Sequence, residues 1–593
     1  MYIENSASEQ NMLIDVAMGR KAPSLLILGG TVLNVYTGQL EKADIALSGR
    51  RVAYVGPIEQ SGLKLDEEIP TLDATGQVLV PGYIEPHAHP SQIYHPLTLA
   101  EKAGSLGTTT LICDNVVFFV EKNLSQVIHM MDQLKKSPVK FFWWARLDAQ
   151  ATLPDERKEL FDQERVEEMI RYDQVVQTGE LTEWVSLLDG DEKMVSWITA
   201  TKNHGKRVES HAPGASYQTL ARLSAAGVTG DHESITCDEA WRRLQLGYMV
   251  PLRYSSIRPD LPEIMKELVQ KENVPWHRLM MTTDGATPLF FKKGFIDYLI
   301  RLAIESGCPP VHAYQMVTIN PAMYYRLDEH LGGIAPGRIA DINFLSSLND
   351  PTPIKVMANG EVIAENGVYK EEKKLSRESV YAGINWDMSS FEVKPEDLMI
   401  PDPGKKTFPV IQLINSVITK RSKEKVELKD GKVYLPEEDE RLFAFLIDRY
   451  GKWITPGLVR GFARGIDGLA TTNTGSRDLL VLGRDPESMA KAANQVIQDQ
   501  GGIVWIQDGK EKFHLPLPLL GIMLDLSIDD LIVRLEPFVE ELKQYGFAFL
   551  DPLFTLTFLT STHLPYIRLT SEGIMQVMKK KVEYPSRRLL ELV

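Results

Sequence analysis

The 593-residue chain holds only 12 histidines. Two of them, His87 and His89, stand one residue apart in the stretch "VPGYIEPHAHP" (residues 80–90). Residues two apart on a strand project to the same side, so both imidazoles can reach one metal ion. His211 and His232 end the runs "GKRVESH" and "GVTGDH", Asp284 ends "RLMMTTD", and Glu183 opens "EWVSLL". Imidazole nitrogen and carboxylate oxygen together suit divalent transition ions such as Zn, Mn or Fe. Six ligands exceed the needs of one tetrahedral site, so two ions sharing a carboxylate fit the count better. Water held between two such ions becomes hydroxide near neutral pH. Asp284 can then act as proton shuttle, taking the proton from that water and handing it to a leaving amine. Each residue alone says little: His-X-His recurs in ordinary loops, and an Asp before a helix is a common cap. Glu180 competes with Glu183 for the carboxylate position. The weight lies in the convergence of all six.

Eight strand-like runs bring these residues together. They end at "GYIEPHAH", "TTTLICD", "VKFFWWARLD", "EWVSLL", "GKRVESH", "GVTGDH", "YMVPLRY" and "RLMMTTD". Between them lie helix-compatible stretches such as "QVIHMMDQLKKS", "YQTLARLSAAG" and "PEIMKELVQKENV". Strands alternating with helices imply a parallel sheet, and eight units imply a closed (β/α)₈ barrel over residues 80–330. Loops after the strands build the active site of that fold, which is where the six residues fall. Short strands with glycine turns precede the barrel in residues 1–79 and return in 331–375, as expected of one discontinuous β-sandwich domain. Residues 376–405 read as a Pro- and Asp-rich linker, and 406–593 as a separate α+β domain.

The composition, 44% hydrophobic and 24% charged, is that of a folded globular enzyme. A net charge of −15 argues against nucleic acid as a partner. No apolar run reaches membrane-spanning length, so no membrane partner is expected. Cys113, Cys237 and Cys308 are too scattered for a disulfide framework, and the polar N-terminus does not read as a secretory signal. A cytoplasmic setting and a homodimer are the expectations.

The stretch "VPGYIEPHAH" resembles the first-strand signature of the amidohydrolase superfamily, and "ESHAPGASYQTLARLSAAGVTGDHES" resembles its adenine deaminase family. "MVTINPAMYYRL", "GGIAPGRIADINFL" and the late "NQVIQDQGGIVWIQDGKEKFHLPLPLLGIMLD" extend the similarity over nearly the whole chain. The resemblance implies a barrel with a composite β domain and a C-terminal domain, two divalent ions, commonly Mn or Fe, and hydrolysis of adenine to hypoxanthine and ammonia. It places His87, His89, Glu183, His211, His232 and Asp284 at the metal site. The other deaminase chemistry, with a His/Cys/Cys zinc, needs a Pro-Cys-X-X-Cys run that this chain lacks.

Several family-typical stretches are altered near the expected pocket. After strand 2 an Asp-Pro-His-Glu run is "DNVVFF", keeping Asp114 but placing Val116 and Val117 where His and Glu are expected. A Met-Asn-Tyr-Pro-Gly-like run becomes "WVSLLDG", Gly-His-Ile-Asp becomes "GFID", and Arg-Glu-Gly-Ser becomes "RYSS". In the C-terminal domain a His-Asp-Ser-His-Asn run is "NTGSRD". A substrate pocket of Asp114, Val116, Val117, Trp184, Arg253 and Phe295 is therefore expected to favour a small purine-like or other N-heterocyclic substrate more apolar than adenine, or adenine held differently. The alternatives to adenine deamination are hydrolysis of another cyclic amidine, amide or N-heterocycle, and a non-catalytic ligand-binding paralogue.

Overall fold

The computed structural model describes residues 2–65, 68–152, 159–384 and 388–589. Eight strands form the central barrel: β1 (Tyr83–Ala88), β2 (Thr108–Cys113), β3 (Lys140–Ala145), β4 (Val175–Leu181), β5 (Arg207–Ser210), β6 (Gly230–Asp231), β7 (Val250–Arg253) and β8 (Leu279–Thr282). β1 to β6 pair in sequence order, all parallel, and β7 pairs parallel with β8. A parallel bridge between Gly230 and Met249 leads from β6 to β7. Side chains close the ring: Thr282 and Thr283 at the end of β8 donate hydroxyl hydrogen bonds to Glu85 of β1, at 2.6 and 2.8 Å. Every residue of β1, β2, β3 and β4 is buried, as expected of parallel strands covered on both faces.

The fourth strand differs from the sequence expectation. "EWVSLL" is not a strand: Trp184–Leu188 is a short helix, and β4 lies earlier, at Val175–Leu181. "VVQTGEL" is broken by Gly179, a residue that weakens a strand pattern read from sequence. Here the glycine has a structural use. Its φ is +114°, and a Cβ there would lie 2.3 Å from the Glu209 carbonyl oxygen on β5. Only a glycine lets the two backbones approach this closely and swings Glu180 into the barrel mouth.

The chain segments on either side of the barrel share a β-sandwich. In its seven-stranded sheet, Ile342–Leu345 pairs antiparallel with Val78–Pro81, so strands from before and after the barrel are direct neighbours. A four-stranded sheet packs over it, with Ile27, Ile45, Leu79, Ile342 and Phe344 fully buried between them. The stretch 376–405 is packed rather than free. Val380, Val393, Leu398 and Ile400 are buried, and the Tyr381 hydroxyl lies 3.0 Å from His95 Nδ1.

The C-terminal region is built on a nine-stranded sheet with helices Pro486–Gln498 and Ile528–Gln544. "DLLVLG" and "GIVWIQDG" supply two of its strands, as their apolar runs lead one to expect. This region sits on the barrel mouth. Asp551 accepts from Thr287 Oγ1 at 2.6 Å, Leu524 N donates to Ile93 O at 2.8 Å, and Glu121 pairs with Arg449 at 2.7 Å and Arg477 at 2.6 Å. A cavity of about 800 Å³ lies between the barrel and the C-terminal region.

Gly179→Ala should destabilise the protein by about 2 kcal/mol or more, from the left-handed backbone and the overlap with Glu209 together. A denaturant titration reads this directly, and an unchanged midpoint would contradict the close approach of β4 and β5.

Candidate metal centre and active site

The ends of β1, β4, β5, β6 and β8 deliver one cluster. His87 and His89 come from β1 and the residue after it, Glu180 from β4, His211 and His232 from the positions following β5 and β6, and Asp284 from just beyond β8. Their donor atoms form overlapping groups, each within 4.8 Å: His87, His89 and Asp284; His87, Glu180 and His232; His211, His232 and Glu233. Asp284 Oδ1 lies 3.2 Å from His87 Nε2 and 3.3 Å from His89 Nε2. Glu180 Oε1 lies 2.5 Å from His211 Nδ1 and 3.5 Å from His232 Nε2, while its other oxygen is 3.9 Å from His89 Nε2. Glu180 thus faces both halves of the cluster.

The imidazoles are oriented from behind. Glu209 Oε1 lies 3.1 Å from Nδ1 of both His87 and His232, and Gln177 donates to its other oxygen at 2.8 Å. Asp114 holds His89 Nδ1 at 3.1 Å. With Nδ1 occupied in all three rings, Nε2 is directed inward, the arrangement in which a backing carboxylate fixes the tautomer of a metal-ligating histidine. The donor set fits divalent ions on a further count. Nε2 of His87, the nitrogen aimed at the cluster, is buried without a well-directed hydrogen bond among the described residues, a state that costs free energy unless something else binds there.

Charge pairing completes the site. Arg253 bridges Asp284 and Glu233, reaching the latter at 2.5 Å. Arg146 lies 3.3 Å from Glu180 and 3.7 Å from Asp114. Burial by itself would raise the Glu209 carboxyl, but the charges of His87 and His232 outweigh it and hold the group at about 2. Burial likewise opposes ionisation of Asp284, and Arg253 followed by His232 holds it well below the usual carboxylate range. Asp284 has a left-handed φ of +46°, uncommon for a non-glycine residue and typical of functional positions.

Not every expected residue joins the cluster. Glu183 stands outside it: it lies beyond the end of β4, exposed, at the start of the short helix, and its backbone N–H donates to Asp148 at 3.1 Å. The earlier position of β4 is the reason, and Glu180 takes the inward place on that strand. Asp114, Val116, Val117 and Arg253 line the cavity, although Asp114 is spent on orienting His89. Trp184 packs half-buried against the core and does not line the cavity. Phe295 is buried against Phe291, ring centroids 5.1 Å apart, and also lies outside the lining. Residues missed from sequence are Glu209, Glu233, Arg146, Gln150 and His563. Glu209 and Glu233 sit two before His211 and one after His232, so the runs "ESH" and "DHE" carried a signal for them. His563 lies far along the chain from the histidines of the barrel strands, in a loop of the C-terminal domain, and nothing local marks it. That loop follows the helix Pro552–Phe558 and reaches the cavity only through the tertiary fold.

 

Comparison with known proteins agrees with this geometry. The amidohydrolase family profile matches residues 78–240 and 249–363, and that of the adenine deaminase C-terminal domain matches 416–581. The chain is 38% identical over 571 residues to "Putative adenine deaminase BH0637" of Halalkalibacterium halodurans, covering 96% of each chain. It is 37% identical to "Putative adenine deaminase YerA" of Bacillus subtilis, covering 97% of each. It is 29% identical to "Adenine deaminase" of Listeria monocytogenes, covering 95% of this chain and 96% of that one.

Two substitutions separate the rival carboxylates. Glu180→Gln should lower the content of bound divalent metal, read by elemental analysis, whereas Glu183→Gln should leave it unchanged. The reverse pattern would return Glu183 to the cluster.

Proposed function

The chain belongs to the adenine deaminase family of the amidohydrolases, and from that premise we propose that it hydrolyses the amino group of adenine, giving hypoxanthine and ammonia. The observation that carries this reading is the convergence of His87, His89, Glu180, His211, His232 and Asp284 at one barrel mouth, with Glu180 facing both halves. These six residues would hold two divalent ions, Mn or Fe first and Zn as the alternative. Such ions, when bound, supply hydroxide at neutral pH and positive charge against the developing tetrahedral centre.

The protein's own groups do the rest. Glu209 and Asp114 keep three imidazoles in one tautomer, so the ligand nitrogens need no reorganisation during turnover. Asp284 Oδ1 stands between His87 and His89, the place from which a carboxylate can accept the proton of the attacking water and pass it to the departing amine. Arg253, on Asp284 Oδ2, fixes the carboxylate in that position. The C-terminal region roofs the cavity and limits access of bulk water to the reacting centre.

A second reading rests on the walls. Val116 and Val117 line the cavity where family-typical polar residues are expected, and about 800 Å³ lies toward the upper end of the roughly 300–1,000 Å³ of small-molecule sites. Both features favour a cyclic amidine or related N-heterocycle bulkier and more apolar than adenine.

Protein loaded with Mn or Fe should consume adenine, followed by ultraviolet absorbance. No turnover in a fully loaded sample would reject adenine in favour of the second reading. Asp284→Asn should cut kcat by about 10³-fold for whichever substrate is found, because a general acid–base group is lost. Undiminished turnover would remove Asp284 from the proton path.

A further inference from the structure

His563 comes from the C-terminal region yet lines the cavity beside the cluster, its ring centroid 5.4 Å from that of His211. Its position is set by one backbone oxygen. Gln150 O lies 3.1 Å from His563 Nδ1 and also accepts from the backbone N–H of Thr562, at 3.1 Å, and of His563, at 3.3 Å. A carbonyl oxygen can only accept, so Nδ1 carries the proton, and in the neutral ring Nε2 is left with a lone pair. Among the described residues Nε2 has no protein partner, and it is left to the cavity.

Gln150 ties this imidazole to the metal cluster. Its φ is +60°, the left-handed region that few non-glycine residues adopt. That conformation presents its carbonyl to the C-terminal loop while its side-chain amide donates to Glu180 Oε2 at 2.8 Å. One residue therefore holds His563 in fixed relation to the carboxylate at the centre of the site. An acceptor placed so rigidly, and unused by the protein, is suited to a ligand that brings a donor.

We propose that His563 is a substrate-binding residue supplied by the C-terminal domain, its Nε2 accepting a hydrogen bond from an N–H of a nitrogen heterocycle bound at the cluster. The proposal rests on the purine-deaminase reading for its choice of ligand. It gives the C-terminal domain a part in recognition beyond covering the barrel.

The test uses full-length, metal-loaded protein with His563→Phe, which keeps an aromatic ring but no acceptor, and His563→Gln, which keeps a carbonyl acceptor. Hypoxanthine, which is not turned over, is titrated by calorimetry, and adenine turnover is followed in parallel. His563→Phe should raise the Kd for hypoxanthine and the KM for adenine by about tenfold, the effect of leaving a buried donor unpaired. Its kcat should stay within about threefold of the parent, as for lost ground-state binding. Metal content should match the parent, and His563→Gln should recover part of the affinity. Unchanged hypoxanthine binding in His563→Phe overturns the proposal, as does loss of metal in that variant or failure of the parent to bind hypoxanthine. Binding that depends on His563 without adenine turnover would sustain the proposal and reject the activity. Turnover indifferent to His563 would do the opposite.

Discussion

Three buried carboxylates, Glu180, Glu209 and Glu233, and the half-buried Asp284 meet at one barrel mouth, and the surrounding structure depends on neutralising them. A buried carboxylate is costly unless paired and hydrogen-bonded, and breaking a buried pair typically costs about 3–5 kcal/mol. Each of the four therefore has cationic or imidazole neighbours: Arg146 for Glu180, Arg253 for Asp284 and Glu233, and two imidazoles for Glu209. The pairing also sets geometry. Glu209 can satisfy both His87 and His232 only if each turns Nδ1 toward it, and this aims both Nε2 atoms at the cluster centre.

The same demand reaches into the fold. Thr282 and Thr283 satisfy Glu85, and in doing so they join the last strand to the first. Gly179 allows β4 close enough to β5 for Glu180 to meet His211 and His232. The C-terminal region then covers the mouth through Asp551, Leu524 and the arginines that meet Glu121. A low-dielectric enclosure results, in which fixed charges act more strongly than they would in water.

Much of this was legible in the chain itself. His87, His89, His211, His232 and Asp284 end apolar runs, and strand periodicity alone puts them on one rim. The family resemblance anticipated the composite β domain and the C-terminal domain. The fourth strand was not legible, because Gly179 interrupts "VVQTGEL" and the apolar "WVSLL" nearby mimics a strand while forming a helical turn. That displacement moved the carboxylate from Glu180 to Glu183. Phe295 and Trp184 look like pocket residues by position, yet packing turns both toward the core. Gln150 and His563 are 413 positions apart in the chain, so their pairing exists only in three dimensions.

The central claim is a two-ion centre with Glu180 between its halves. Anomalous diffraction from crystals of manganese-loaded protein tests it most directly. The account predicts two peaks about 3.5–4 Å apart, as in two-metal hydrolytic sites, one near His87, His89 and Asp284, the other near His211 and His232, with Glu180 reaching both. A single peak, or metal coordinated by Glu183 rather than Glu180, would contradict it.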